Sequence, residues 1–252
     1  MAAHTVKLSS LKAACKSCKL HQLCLPIGLS SNDIEKLDGI IKRNKPLQRG
    51  DHLFRSGSPF ESIFAVRSGT IKTYTQTESG DEQVTGFYFA GELLGLDAVH
   101  NAKHPCSAIA LETTSLCEFP FEMLEELSVK IPSLQHQLLR IMSKEIATDQ
   151  AQLILMGQKS AEERLATYLV NISDRLRLRG FSPTEFYLSM SRKDIGNYLG
   201  LTIETISRTF SRFQQEGVLN TRRKYVEIIN LAHLKTLAGI SYQDIEERLA
   251  NS

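Results

Sequence analysis

Between Pro46 and Pro120 the chain is cut by Gly50, Gly57, Gly69, Gly80, Gly91 and Gly95 into runs too short for helices. Those runs, "HLF", "SIFAV", "TIKTYTQ", "QVTGFYF", "SAIAL" and "SLCEF", are rich in β-branched and aromatic residues, the types that fit a pleated surface. Many brief strands separated by turns predict an antiparallel barrel or roll, which confines helices to its two flanks. Upstream, "SSNDIEKLDGIIKRN" offers Ser, Asn and Asp as start signals and then Ile34, Leu37, Ile40 and Ile41 at helical spacing, so a short helix is expected there. Downstream, Pro132 suits the first turn of a helix running to about Met156, before Gly157. At about 1.5 Å per residue that helix is ~36 Å long, enough to act as a spine between two domains.

Beyond the spine the signals become those of capped helices. Ser160 with Glu163 forms a capping box for "AEERLATYLVNISDRLRL", closed by Gly180, and a short strand "FYLSM" follows. Ser191 with Asp194 forms a second box opening "SRKDIGNYLG", and "LTIETISRTFSRFQQEG" continues as a helix stopped at Gly217. "VLNT" and "YVEII", hinged on "RRK", read as a two-stranded wing. Helix, glycine-containing turn, helix and basic hairpin, in that order, outline a winged helix-turn-helix. The expected fold class is therefore α+β: an arm over residues 1–30, a β-roll over 31–131, a long helix over 132–157 and the winged domain over 160–252.

In the second helix of the motif, Ile203, Ile206, Phe210 and Phe213 recur at steps of three, four and three and are expected to form its core face. The opposite surface carries Glu204, Thr205, Ser207, Arg208, Ser211 and Arg212, side-chain types that read a major groove. A groove-inserted helix reads with its N-terminal residues, so Glu204, Ser207 and Arg208 are assigned to base edges, and Thr205, Arg212 and the wing to phosphate. The competing reading is a solvated face in which Glu204 and Arg208 form an i,i+4 ion pair. Net charge is +2, too small to identify a nucleic-acid partner, but between Phe186 and Tyr225 seven Lys or Arg stand against three acids.

No apolar run suits a signal peptide or a membrane span, so a cytoplasmic protein is expected. No Ser/His/Asp constellation and no P-loop or Rossmann glycine loop is present, which argues against an enzyme. In a reducing compartment five cysteines are poor disulfide material, and "CKSCKLHQLC" clusters Cys15, Cys18 and Cys24. Three thiolates leave a four-ligand site one short, with Cys106 and Cys117 as candidates for the fourth. Zinc is weakened by the lack of a second C-x-x-C, whereas iron–sulfur clusters accept a remote fourth cysteine. A lone later cysteine is most often a small core residue, and Cys106 is read so.

"CKSCKLHQLC", Cys117 and "IGNYLGLTIETISR" together resemble the FNR proteins, the oxygen-sensing branch of the CRP/FNR family, over essentially the whole chain. The resemblance implies a [4Fe-4S] cluster on Cys15, Cys18, Cys24 and Cys117, and base reading by Glu204, Ser207 and Arg208. It further implies an N-terminal β-roll, a dimerisation helix and a winged helix-turn-helix binding palindromic double-stranded DNA, with RNA polymerase contacted through surface loops. The loop "ESGDEQ", residues 78–83, is one such candidate. Nucleotide-binding relatives carry an Arg-Ser pair where this chain has Cys106-Ser107, and losing that cation argues against cyclic AMP as effector.

Along the spine Leu139, Met142, Ile146, Asp149, Leu153 and Met156 fall at steps of three and four, the seam of a short parallel coiled coil. Asp149 would then face its own copy across a homodimer, so that association is marginal. The alternative is a seam packed on its own β-roll with Asp149 in water.

Overall fold

The computed structural model describes residues 15–77 and 80–239. The expected roll is present as two antiparallel sheets. One runs β1 (His52–Phe54), β6 (Ser107–Ala110), β3 (Thr70–Gln76), β4 (Glu82–Phe89); the other runs β5 (Leu93–Leu94), β2 (Ser62–Ser68), β7 (Ser115–Pro120). Period-two alternation sorts the side chains of the second sheet. Val66 and Leu94 point inward to meet Phe54, Ile71, Ala108 and Ala110 of the first, with Phe64 and Leu116 packed alongside. Ile63, Ala65, Leu93 and Phe119 point outward, and Cys117 with them.

That outer face is covered by helices. α1 (Ser31–Ile40) starts at Ser30, whose hydroxyl accepts from the Asp33 N–H at 3.2 Å, and buries Leu37. α2 (Phe121–Lys130), absent from the sequence expectation, buries Leu124 and leads through Ile131 into α3 (Pro132–Gln158). α3 has Pro132 in its first turn as expected and runs through Gly157 rather than stopping before it.

Both predicted capping boxes are formed, at Ser160 for α4 (Ala161–Leu178) and at Ser191 for α5 (Arg192–Leu199). α6 (Ile203–Gln215) follows Gly200, which takes the left-handed φ of +64° at the end of α5. The wing differs from the expectation in having three strands: β8 (Glu185–Tyr187) joins β10 (Tyr225–Ile228) and β9 (Leu219–Arg222) in the order β8-β10-β9. α7 (Leu231–Leu237) closes the domain. Ile206, Phe210 and Phe213 lie in the core with Leu169, Ile195 and Val226. Ile203 does not: it sits at the first residue of α6, beyond the end of α5, and stays 44% exposed while Thr209 is buried in the stripe instead.

The roll and the winged domain share one core. Val84 and Phe87 of β4 pack with Leu169 and Ile195, and Asn197 of α5 pairs with the open edge of β4, its amide carbonyl accepting from the Val84 N–H and its NH₂ donating to the Glu82 carbonyl. Gln83 Nε2 donates to the Asn197 carbonyl at 2.9 Å, and Lys72 bridges Glu82 (2.5 Å) and Asp194 (2.9 Å). Arg175 of α4 and Arg179, which caps its C-terminus, both grip Glu92 of the roll. Burial raises the Glu92 carboxyl, but the two guanidiniums outweigh it and hold it below its ordinary range.

Glu145 of α3 lies beside this junction. Burial first, then the charges of Glu92 and Asp149, push its carboxyl up to about 7. The folded protein therefore holds a proton there that the unfolded chain has released, so this group costs stability as pH rises from the unfolded carboxylate range to about 7. Glu145→Gln is expected to stabilise the protein by about 1–2 kcal/mol above pH 7 and by nothing near pH 4. Melting temperatures of the two proteins across that range check this, and curves separated equally at every pH would refute it.

Candidate metal site and DNA-reading surface

From Cys15 to Leu29 the arm is a succession of tight turns in which five N–H groups reach back three residues, among them Cys18 to Cys15 (3.2 Å), His21 to Cys18 (3.1 Å), Leu23 to Leu20 (2.9 Å) and Ile27 to Cys24 (3.2 Å). This compact backbone lies on the outer face of the β5-β2-β7 sheet. Leu25 is fully buried, and Gly91 stands so close under Leu23 that a Cβ there would meet the leucine Cβ at 3.0 Å. With φ at +91°, Gly91 is required on both counts, beyond its expected role as a turn residue.

Cys15 (8% exposed), Cys24 and Cys117 belong to one apolar cluster with Leu25, Leu37, Ala65 and Phe119. Cys117 sits on β7 opposite Ala65, on the outward face that alternation assigns it. Burial pushes the Cys15 thiol up to about 12, helped by Asp38 and then by Cys117 and Cys24; burial pushes Cys24 up to about 12 as well, with Cys117 and Cys18 adding to it against the Leu25 N–H. Burial also raises Cys117, opposed by the Arg43 and Arg67 guanidiniums. Cys117 thus lies within reach of the charges of Cys15, Cys18 and Cys24. Among the described residues, no three Cys, His, Asp or Glu side chains converge as they would around a single metal ion.

The donor chemistry fits a polynuclear iron–sulfur group. The thiols of Cys15, Cys24 and Cys117, raised by burial, stay protonated unless a cation neutralises them, since metal ligation requires thiolates and releases their protons. A single tetrahedral zinc would hold four sulfurs at ~2.3 Å, within roughly 3.8 Å of one another, whereas a cluster distributes its thiolates over separate irons. Asp38, which accepts from the Cys15 N–H at 3.0 Å, was not legible from the sequence, because nothing in the spacing links it to the arm. Cys106 stands apart in the roll core, its thiol donating to Asp97 Oδ2 at 3.4 Å, as expected for a core residue.

On α6, Glu204, Ser207, Arg208, Ser211 and Arg212 are exposed opposite the buried stripe, and Thr205 is half-buried. The Thr205 backbone N–H donates to the Thr202 cap (3.2 Å), and the two hydroxyls pair at 3.0 Å. Among the described residues no ion pair joins Glu204 to Arg208, and Arg208 is free at the surface. Arg212 is engaged by Glu162 and by Glu216 (3.2 Å), Lys224 donates to the Ser189 carbonyl (2.6 Å), and Arg192 stacks on Phe210 with its carbon 3.1 Å from the ring centre. The available cations of the motif are therefore Lys193, Arg208, Arg222 and Arg223.

On α3, Leu139, Met142, Ile146, Asp149 and Leu153 are exposed in a line, with Ile154 beside them. Met156 is half-buried and packs on its own domain, its Cε 3.2 Å from where a Gly200 Cβ would stand. Of the loop at residues 78–83, Glu78 and Ser79 lie outside the described residues, while Glu82 and Gln83 are engaged with Lys72 and Asn197. No helix among the described residues is long and apolar enough to cross a membrane.

A β-roll joined through one long helix to a winged helix-turn-helix, whose second helix presents a polar, cation-bearing face, defines a DNA-binding transcription regulator. Residues 163–237 match the Crp-like helix-turn-helix domain, and residues 44–130 match the cyclic nucleotide-binding domain. The chain belongs to the CRP/FNR family of transcription regulators, within its FNR and Anr group. The transcriptional activator protein anr of Pseudomonas aeruginosa is 52% identical over 238 residues, covering 94% of this chain and 98% of that protein. The fumarate and nitrate reduction regulatory protein of Escherichia coli K12 is 52% identical over 225 residues, covering 89% and 90%. Among solved structures, FixK2 from Bradyrhizobium japonicum is similar at a TM-score of 0.72 and 27% identity, over 79% of this chain and 97% of that one.

Proposed function

We propose that this protein is an oxygen-responsive global regulator of genes for anaerobic metabolism. Cys15, Cys18, Cys24 and Cys117 hold a [4Fe-4S] cluster, and the holoprotein is a homodimer on palindromic DNA. The observation that carries the reading is the gathering of an N-terminal cysteine arm and a cysteine of β7 into one apolar neighbourhood. The names of the relatives, an activator and a fumarate and nitrate reduction regulator, support the anaerobic assignment. When bound, the cluster supplies oxygen-reactive iron–sulfur bonding that ties the arm to β7.

The chain does the rest. The arm and α1 cover the outer sheet face from which α2 and α3 emerge, so a tied arm steadies the start of the dimer helix. The exposed line Leu139, Met142, Ile146 and Leu153 is the seam, with Met156 contributing less because it is half-buried in its own protomer. Asp149 opposes association, and once the tie is lost in oxygen its repulsion separates the subunits. Two reading heads on half-sites one DNA turn, roughly 34 Å, apart then cannot act together. Cyclic nucleotide gating is disfavoured because Glu92 is already neutralised by Arg175 and Arg179, and Cys106 with Asp97 offers no cation for a phosphate. RNA polymerase is the further partner of an activator.

Iron and sulfide analysis with sedimentation, before and after air exposure, tests the whole reading. Anaerobic dimers containing iron and sulfide should become iron-depleted monomers; protein without iron, or with an unchanged mass in air, sinks it. At the reading head, Arg208→Ala should cost ~1–3 kcal/mol at one base position of the site, while Lys193→Ala weakens all sequences alike. Binding measured against a panel of single-base variants separates the two. Uniform weakening by Arg208→Ala would reduce it to a phosphate contact.

A further inference from the structure

We propose that Asp38 and Arg43 are positioning residues that dock the cysteine arm beside Cys117 before any metal arrives. Its purpose rests on the cluster reading above, but the docking is a property of the chain alone.

After α1 the chain is extended at Ile41 and bridges β7 at Lys42, and the side chains that follow turn to opposite sides. Lys42 and Asn44 turn to β7. The Lys42 backbone exchanges both hydrogen bonds with the Glu118 backbone at 2.9 Å, and Asn44 Nδ2 donates to Glu118 Oε2 at 2.5 Å. Glu118 is fixed on its other oxygen by the Ser62 hydroxyl at 3.1 Å. Arg43, between them, turns back and donates through Nη2 to Asp38 Oδ1, the oxygen that also accepts from the Cys15 N–H at 3.0 Å. A continuous link therefore runs from Cys15 through Asp38 and Arg43 to the Lys42–Glu118 bridge, whose strand partner is the immediate neighbour of Cys117.

Two details set this link apart from ordinary packing. Asp38 and Arg43 are largely buried, with side chains 26% and 17% exposed, whereas the Lys16–Glu35 ion pair of the arm is 47% and 63% exposed and contributes little. The Arg43 Nε–H is buried without a hydrogen-bond partner, an orphan donor on a cation that acts on both Cys15 and Cys117.

The test uses the full chain, reduced and metal-free, in a Cys106→Ser background, with a bifunctional thiol reagent that joins Cys117 to an arm cysteine. The starting protein should cross-link readily. Asp38→Ala should slow the reaction about tenfold, the effect of losing one charge-assisted hydrogen bond. Asp38→Asn, which keeps the oxygen for the Cys15 N–H but not the ion pair, should fall between. Arg43→Ala should match Asp38→Ala, with the double variant no slower than either. Circular dichroism identifies any variant that fails to fold, in which case the Asn variant and Arg43→Ala decide. Equal rates in all variants, or no cross-link in the starting protein, overturn the proposal. Iron uptake, measured separately, tests the cluster reading: the cross-linking pattern without iron uptake leaves the docking standing and removes the cluster.

Discussion

Replacing Cys117 with serine is expected to abolish iron and sulfide retention, from about four irons per chain to essentially none, while leaving the fold intact. The two side chains are close in size, and Cys117 is half-buried on β7 with its backbone paired to Ala65, so the strand has no reason to move. The ligand chemistry changes completely, because the serine hydroxyl is a hard donor that is not deprotonated near neutrality. Cys15, Cys18 and Cys24 alone cannot bridge the arm to the roll. Cys106→Ser is the matched control and should retain iron, since Cys106 faces Asp97 inside the roll, away from the arm. Anaerobic absorbance and iron content of both variants check the pair. Iron retained in Cys117→Ser, or lost in Cys106→Ser, would reassign the fourth ligand.

The features legible in the sequence were those decided by short-range chemistry. The capping boxes at Ser160 and Ser191 need only a hydroxyl, a carboxylate three residues on and helix-forming residues between, and both formed as read. The glycines marked turns because most of them adopt positive φ. What the sequence hid was settled by contacts between distant segments. β8 looks like an isolated apolar run until Val226 of β10 pairs with Phe186, which makes the wing three-stranded. Ile203 fits the helical period but stands past the end of α5, where no partner covers it. Asp38 is one acid among many until Cys15 folds onto it.

The same distinction explains why the two domains share a core. β4 is an edge strand, and an edge with open N–H and C=O groups invites pairing. Asn197 satisfies it with a side-chain amide, which mimics a neighbouring strand for one residue pair. The first helix of the reading motif is therefore oriented by the roll, and through it the presentation of α6. Lys72, bridging Glu82 of β4 and Asp194 of α5, adds a charge to the same joint.

Asp149→Ala is expected to produce a dimer that persists, and binds DNA, with no cluster present. Asp149 is exposed in the line of Leu139, Met142, Ile146 and Leu153, so in a parallel two-fold pair it meets its own copy. Two carboxylates ~6 Å apart repel by about 3 kcal/mol at an effective dielectric of 20. Each flanking seam residue supplies ~1.5–3 kcal/mol when fully buried, so a single acid offsets one or two of them. Removing it should tighten the dimer about a hundredfold at low ionic strength, and less at 1 M salt, where the screening length falls to about 3 Å. Asp149→Asn should give most of the gain, since it deletes charge at nearly constant shape. Ile146→Ala, by contrast, should weaken the dimer even when it holds iron. Sedimentation equilibrium of the metal-free proteins at two salt concentrations decides the matter: a metal-free Asp149→Ala protein that stays monomeric at both removes charge repulsion as the force that separates the subunits.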